Sequence, residues 1–122
     1  SDMQDLLRLE KENKGAALAI DIFCYQIKKY IGGYTAALGG LNMLIFSGGI
    51  GENAPAIRKR ICNDLGYLNI HLNEEINNKN QWQISNEESN VKVYVIPTNE
   101  ELMIAKMTGE RYQKSINDKN EK

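Results

Sequence analysis

The most constraining feature of this sequence is the run Leu41-Asn42-Met43-Leu44-Ile45-Phe46, nearly continuously apolar and bounded by glycines. A short apolar run fenced by turn residues suits a strand covered on both faces, as in a parallel or mixed α/β sheet. Ser47-Gly48-Gly49-Ile50-Gly51-Glu52-Asn53 follows as a polar, glycine-rich turn. A helix is expected from about Ala54, with Asn53 as its cap and Pro55 in its first turn. Ile57, Ile61 and Leu65 form its buried stripe, Arg58, Lys59 and Arg60 point outward or sideways, and Gly66 ends it. The segment therefore reads strand, glycine turn, helix.

The same grammar recurs later. Val91 to Ile96 alternates as a strand, with Val91, Val93 and Val95 on one face, and Pro97 closes it. Thr98 then opens a helix in which Glu101 completes a capping box, with Leu102 and Ala105 facing inward. Upstream, Ala16, Ile20, Phe23, Ile27 and Ile31 recur at helical spacing from Lys14 to about Leu38, and Cys24 lies in the same region. Gly32-Gly33 interrupts that pattern, which predicts a kinked helix or two abutting helices ended by Gly39-Gly40. A short strand is expected at Leu68 to Leu72. Residues 73–90 read as a polar excursion pinned by Trp82 and Ile84, and everything beyond Gly109 as a charged, frayed tail.

Composition narrows the function. In 122 residues, 15 Lys and Arg balance 16 Asp and Glu, so no basic footprint calls for nucleic acid. The apolar runs are too short for a bilayer span. Two cysteines do not make a disulfide framework, which points to a reduced, cytoplasmic setting. His71, the single histidine, has no catalytic pattern around it, and Cys24 and Cys62 read as buried bystanders.

Two strand-to-helix junctions remain as candidate sites, because open α/β sheets place ligands at the carboxyl ends of their strands. The Gly48–Asn53 turn is either a simple tight turn or a place where a nucleotide approaches the backbone. It lacks the Gly-Lys-Ser or Gly-Lys-Thr ending of a P-loop. At the second junction Glu101 is explained by capping, while Glu100 is left either as a further first-turn carboxylate or as an oxygen ligand for Mg2+.

Read together, Ile45 to Asn53 and Val95 to Leu102 resemble the signatures of the acetate kinase family, in the right order and at similar separation, as do Ser1-Asp2-Met3 and Ile27 to Tyr34. The resemblance covers nearly the whole chain apart from its charged tail. It implies an α/β, partial ribonuclease H-like domain of the actin, Hsp70 and sugar kinase superfamily, with a mixed sheet and packed helices. Residues 1–108 would be the C-terminal portion of the second domain and 109–122 the tail. The implied activity is reversible phosphate transfer from ATP to acetate, giving acetyl phosphate and ADP with Mg2+, in a homodimer joined through this domain. Propionate or butyrate in place of acetate, and a non-enzymatic dimerisation module, stay open as alternatives. By the same resemblance Asp2, Met3, Gln4, Gly49, Ile50, Gly51, Asn53 and Ile57 attend the adenosine, and Glu100 is the catalytic, Mg2+-linked carboxylate. Gln4 stands where the family usually carries arginine. The family's other phosphate-handling groups would lie upstream, so the isolated chain is expected to be inactive.

Overall fold

The computed structural model of the protein describes residues 2–97, 102–108 and 111–116. Helix α1 (Asp2–Leu9) and helix α2 (Lys14–Leu38) lead into strand β1 (Met43–Phe46), helix α3 (Gly48–Asn53) and helix α4 (Pro55–Cys62). A 3-10 turn (Gly66–Leu68), helix α5 (Glu74–Asn78), and strands β2 (Lys92–Val95), β3 (Leu102–Thr108) and β4 (Arg111–Ile116) complete the order. The sheet runs β2-β1-β3-β4, with β1 and β2 parallel and the other two pairings antiparallel. The architecture is thus α/β, with packed helices and a small, open, mixed sheet.

Helix α2 follows its sequence pattern except at Phe23, which is half-buried against the core while Cys24 takes its place in the buried face. Ala16, Ile20, Cys24, Ile27 and Ile31 are its buried face. The pair Gly32-Gly33 does not divide it, and one helix runs through all 25 residues. Each glycine costs about 1 kcal/mol relative to alanine. The buried stripe offsets that, since each large aliphatic side chain removed from water contributes about 1.5–3 kcal/mol. Asn13 caps the start by accepting from the Ala16 N–H at 3.0 Å. At the other end Gly39 adopts φ 77°, and the N–H groups of Gly39 and Gly40 donate to Ala36 and Thr35.

Strand β1 is central. Leu44, Ile45 and Phe46 are all buried, as the apolar run requires. Across β2 and the residue before it the expected alternation holds: Val91, Val93 and Val95 are buried while Lys92 is exposed. The core joins Ile20 and Ile31 of α2, Leu44, Ile57 and Ile61 of α4, Ile84 and Val93.

Four local expectations are corrected. Residues 102–108 form strand β3 and not a helix. Leu-Met-Ile-Ala satisfies either period, and pairing with β1 gives that strand's second edge the partners its N–H and C=O groups need. Arg111–Ile116, expected within a frayed tail, pairs with β3 as β4. Helix α4 ends at Cys62, so Gly66 begins the 3-10 turn and does not terminate the helix. Leu72 makes only an isolated bridge to Ser85, and no strand forms over residues 68–72. The polar excursion holds α5, capped by Asn73 accepting from the Ile76 N–H at 3.0 Å. Ile84 is fully buried and anchors it, whereas Trp82 is 64% exposed and rests against the Tyr94 ring.

Candidate functional site

The carboxyl end of β1 opens directly into the glycine segment. Gly48 has φ 77°, a left-handed conformation that turns the strand sharply into a helix. The segment is therefore itself helical, and α3 begins one residue after Ser47. The Gly48 N–H donates to Glu52 Oε2 at 3.2 Å, which holds the single helical turn closed. Gly49 and Asn53, four residues apart, are both exposed, and among the described residues nothing lies within 4 Å of where a Gly49 Cβ would stand. Gly51 is buried. Ser47 is fully buried, and its hydroxyl has no hydrogen-bond partner among the described residues.

Asn53 does not cap α4 as expected. Ala54 precedes Pro55, and no side chain caps that helix. Asn53 offers its backbone carbonyl elsewhere: Gln4 Nε2 of α1 donates to it at 3.2 Å. Two of the segments expected to attend an adenosine, 49 residues apart in the chain, therefore meet at one edge of α3. Asp2 is the first residue of α1. Met3 and Ile57, 6% and 1% exposed, are core residues that back this corner.

Arg58 corrects the sequence reading most sharply. Expected with Lys59 and Arg60 to point outward or sideways, it is fully buried. Its Nη1 donates to the Gly51 carbonyl at 2.6 Å, and its Nε to Asn77 Oδ1 at 2.7 Å. Its Nη2 donates to the Asn77 carbonyl at 2.7 Å and to Asn80 Oδ1 at 2.6 Å. Among the described residues no carboxylate pairs with it. Burial lowers its pKa to about 10, so it stays cationic at neutral pH. The available signal was its place beside Ile57 and three residues before Ile61, on the flank of the buried stripe. Lys59 and Arg60 do face outward enough to pair with Glu74 and Glu10.

The second junction, Thr98 to Glu101, lies outside the described residues, and with it the expected capping box and Glu100. Its neighbours on either side are described. Val95 and Leu102 both pair with Phe46, from opposite sides of β1. Among the described residues no group of three His, Cys, Asp or Glu side chains comes together as metal ligands would.

Other candidates are plain. Burial pushes the Cys62 thiol up to about 12 and raises that of Cys24, so neither is a thiolate at neutral pH. The His71 ring sits against Gly66. A cavity of about 250 Å³ is lined by Lys59, Cys62, His71, Glu74 and Asn77, and an open groove of about 820 Å³ by Glu10, Asp21, Tyr25, Lys28 and Arg60. No residue of α3 lines either.

Comparison with known proteins gives the chain's relatives. The model of the acetokinase family matches residues 1–106. An acetate kinase of Clostridium botulinum (strain Alaska E43 / Type E3) is 52% identical over 113 residues, covering 88% of this chain and 28% of that protein. One of Campylobacter concisus is 48% identical over 108 residues, 86% of this chain and 27% of that protein. Among solved structures, Porphyromonas gingivalis acetate kinase superposes with a TM-score of 0.74 at 37% identity, over 79% of this chain and 25% of that one. A propionate kinase from Francisella tularensis gives 0.73 at 35% identity, over 80% and 25%. The chain spans under a third of the length of the curated relatives it matches. With a family model matched over 106 of its 122 residues, this chain belongs to the acetokinase family.

Proposed function

We propose that the chain is the C-terminal portion of the second, ribonuclease H-like domain of an acetate kinase, residues 1–108 forming that portion and 109–122 its charged tail. The whole enzyme transfers phosphate reversibly from ATP to acetate, giving acetyl phosphate and ADP, with Mg2+ accompanying the nucleotide. The isolated chain is inactive, because the remaining phosphate-handling groups belong to the rest of the enzyme.

The observation that carries this reading is the Gln4–Asn53 contact, which supports an adenosine corner built from α1 and α3 at the carboxyl end of β1. Gln4, Gly49 and Asn53 are exposed and available to a ligand. Met3, Gly51 and Ile57 support the corner from behind, and Asp2 and Ile50 belong to the two helices that form it. Glu100 is proposed as the catalytic, Mg2+-linked carboxylate. The pairing of Val95 and Leu102 with Phe46 supports its nearness to the same corner.

The enzyme is proposed to be cytoplasmic and homodimeric. No helix among the described residues is long and apolar enough to cross a membrane. Leu18, Ile22 and Tyr25 stand exposed on α2 and favour a subunit contact. The likeness to a propionate kinase keeps the longer acid as the competing substrate.

The test is an assay of the full-length protein carrying this chain, with acetate, propionate and butyrate in competition. Acetyl phosphate formation dependent on Mg-ATP is expected, with acetate preferred. A folded full-length protein that neither binds ADP nor phosphorylates any of the three acids refutes the assignment.

A further inference from the structure

Helix α3 has little of its own to hold it. It is six residues long and carries three glycines. The last carbonyls of any helix lack intrahelical donors. Here one of them, that of Gly51, is taken up by the Arg58 guanidinium, which reaches back from α4. The same guanidinium is fixed on its other side by Asn77 of α5 and by Asn80. Asn77 is 1% exposed, and its own Nδ2 donates to the Pro55 carbonyl at 3.0 Å. Every Arg58 nitrogen is therefore engaged, and each acceptor is a neutral oxygen.

A stability role alone explains this poorly. Taking a guanidinium out of water without a carboxylate partner is costly, and an apolar side chain on the flank of the Ile57/Ile61 stripe would fill such a site without that cost. The arrangement does accomplish one specific thing. It fixes the direction of the Gly51 carbonyl, and so the rotation of a one-turn helix whose opposite side presents Gly49 to solvent.

We infer that Arg58 is a positioning residue for nucleotide binding, acting through the Gly51 carbonyl to hold the α3 turn, and that it couples this turn to the Asn77–Asn80 segment. The inference rests on the adenosine corner proposed above.

The test is made on the full-length protein carrying this chain, with ADP binding measured by calorimetry and steady-state kinetics measured for ADP and acetyl phosphate. Arg58→Lys keeps the charge but cannot reach all four acceptors. The expected result is a Kd and KM for ADP raised on the order of tenfold, as for the loss of a hydrogen bond to a charged group. The kcat at saturating ADP and the KM for acetyl phosphate stay within about twofold of the unmodified protein. A lowered Tm with unchanged ADP affinity overturns the inference, because a purely structural arginine gives that result. Should Arg58→Lys fail to fold, Asn80→Gly decides. Glycine accepts the φ of 53° at that position and deletes only one acceptor. A rise in the ADP Kd of about threefold supports the coupling, and no rise overturns it. If the unmodified protein does not bind ADP, the adenosine corner itself fails. If it binds ADP and both variants bind it equally well, only the role of Arg58 does.

Discussion

Gln4 Nε2 donates to the Asn53 carbonyl at 3.2 Å, fastening the first helix to the end of the glycine helix. The bond is exposed, so it contributes little to folding and mainly aligns two surfaces. Gln4→Ala is expected to cost under about 1 kcal/mol in urea unfolding with an unchanged m value. In the full-length protein it weakens ADP binding by a few-fold. Gln4→Arg keeps a donor for Asn53 and adds a cation at the proposed adenosine corner, and it is expected to tighten ADP up to about fivefold, less so at high salt. Calorimetric titration at two salt concentrations checks both variants.

The three glycines of α3 differ in what they tolerate. Gly48 sits at φ 77°, where a Cβ is strained, so Gly48→Ala is expected to destabilise by about 1–2 kcal/mol and Gly48→Val by more. Gly49 is not in the left-handed region, has open space around it among the described residues, and lies in a helix. Gly49→Ala is expected to be neutral or to stabilise by up to about 1 kcal/mol. Any loss of ADP affinity in that variant then reports contact with the ligand and not a damaged turn. Thermal unfolding beside ADP titration separates the two effects.

The polar excursion is held by Ile84 more than by Trp82. Ile84→Ala is expected to cost about 2–5 kcal/mol, as for a fully buried aliphatic residue. Trp82→Ala forfeits the contact with Tyr94, centroids 4.8 Å apart, and is expected to cost about 0.5–1.5 kcal/mol. Chemical denaturation of the two variants gives the ranking, and a larger loss for Trp82→Ala contradicts it.

Cys62 governs part of the alkaline behaviour. Its folded pKa, about 12, exceeds the ordinary thiol value of 9.0 because burial disfavours the thiolate. Above pH 9 the unfolded chain releases this proton while the folded one keeps it, so folding stability falls as pH rises. The contribution is fully present below pH 9 and is lost progressively between pH 9 and about 12, by at most about 1.4 kcal/mol per pH unit. Cys62→Ala is expected to have a shallower loss than the unmodified protein across that window. Unfolding midpoints from pH 8 to 11 measure the difference between the two slopes.

Local periodicity in the sequence was enough for the elements that bury one continuous face. The α2 stripe, the apolar β1 run, the Val91/Val93/Val95 alternation and the Ile57/Ile61 stripe all stand as their spacing requires, because burial of a regular face is written in nearest-neighbour pattern. The motifs at the two junctions also carried the family. What the chain does with ambiguous or flanking residues was decided by tertiary partners. Leu102 to Thr108 became a strand because β1 had a second edge to satisfy. The glycine turn became helical around Gly48 and Glu52. Arg58 and Lys59 are adjacent cations on one helix, and only the position of Asn77, Asn80 and the Gly51 carbonyl determines that the first is buried and the second is not. Those acceptors lie between seven and 22 residues away in the chain, a separation at which helical periodicity carries no information about who meets whom.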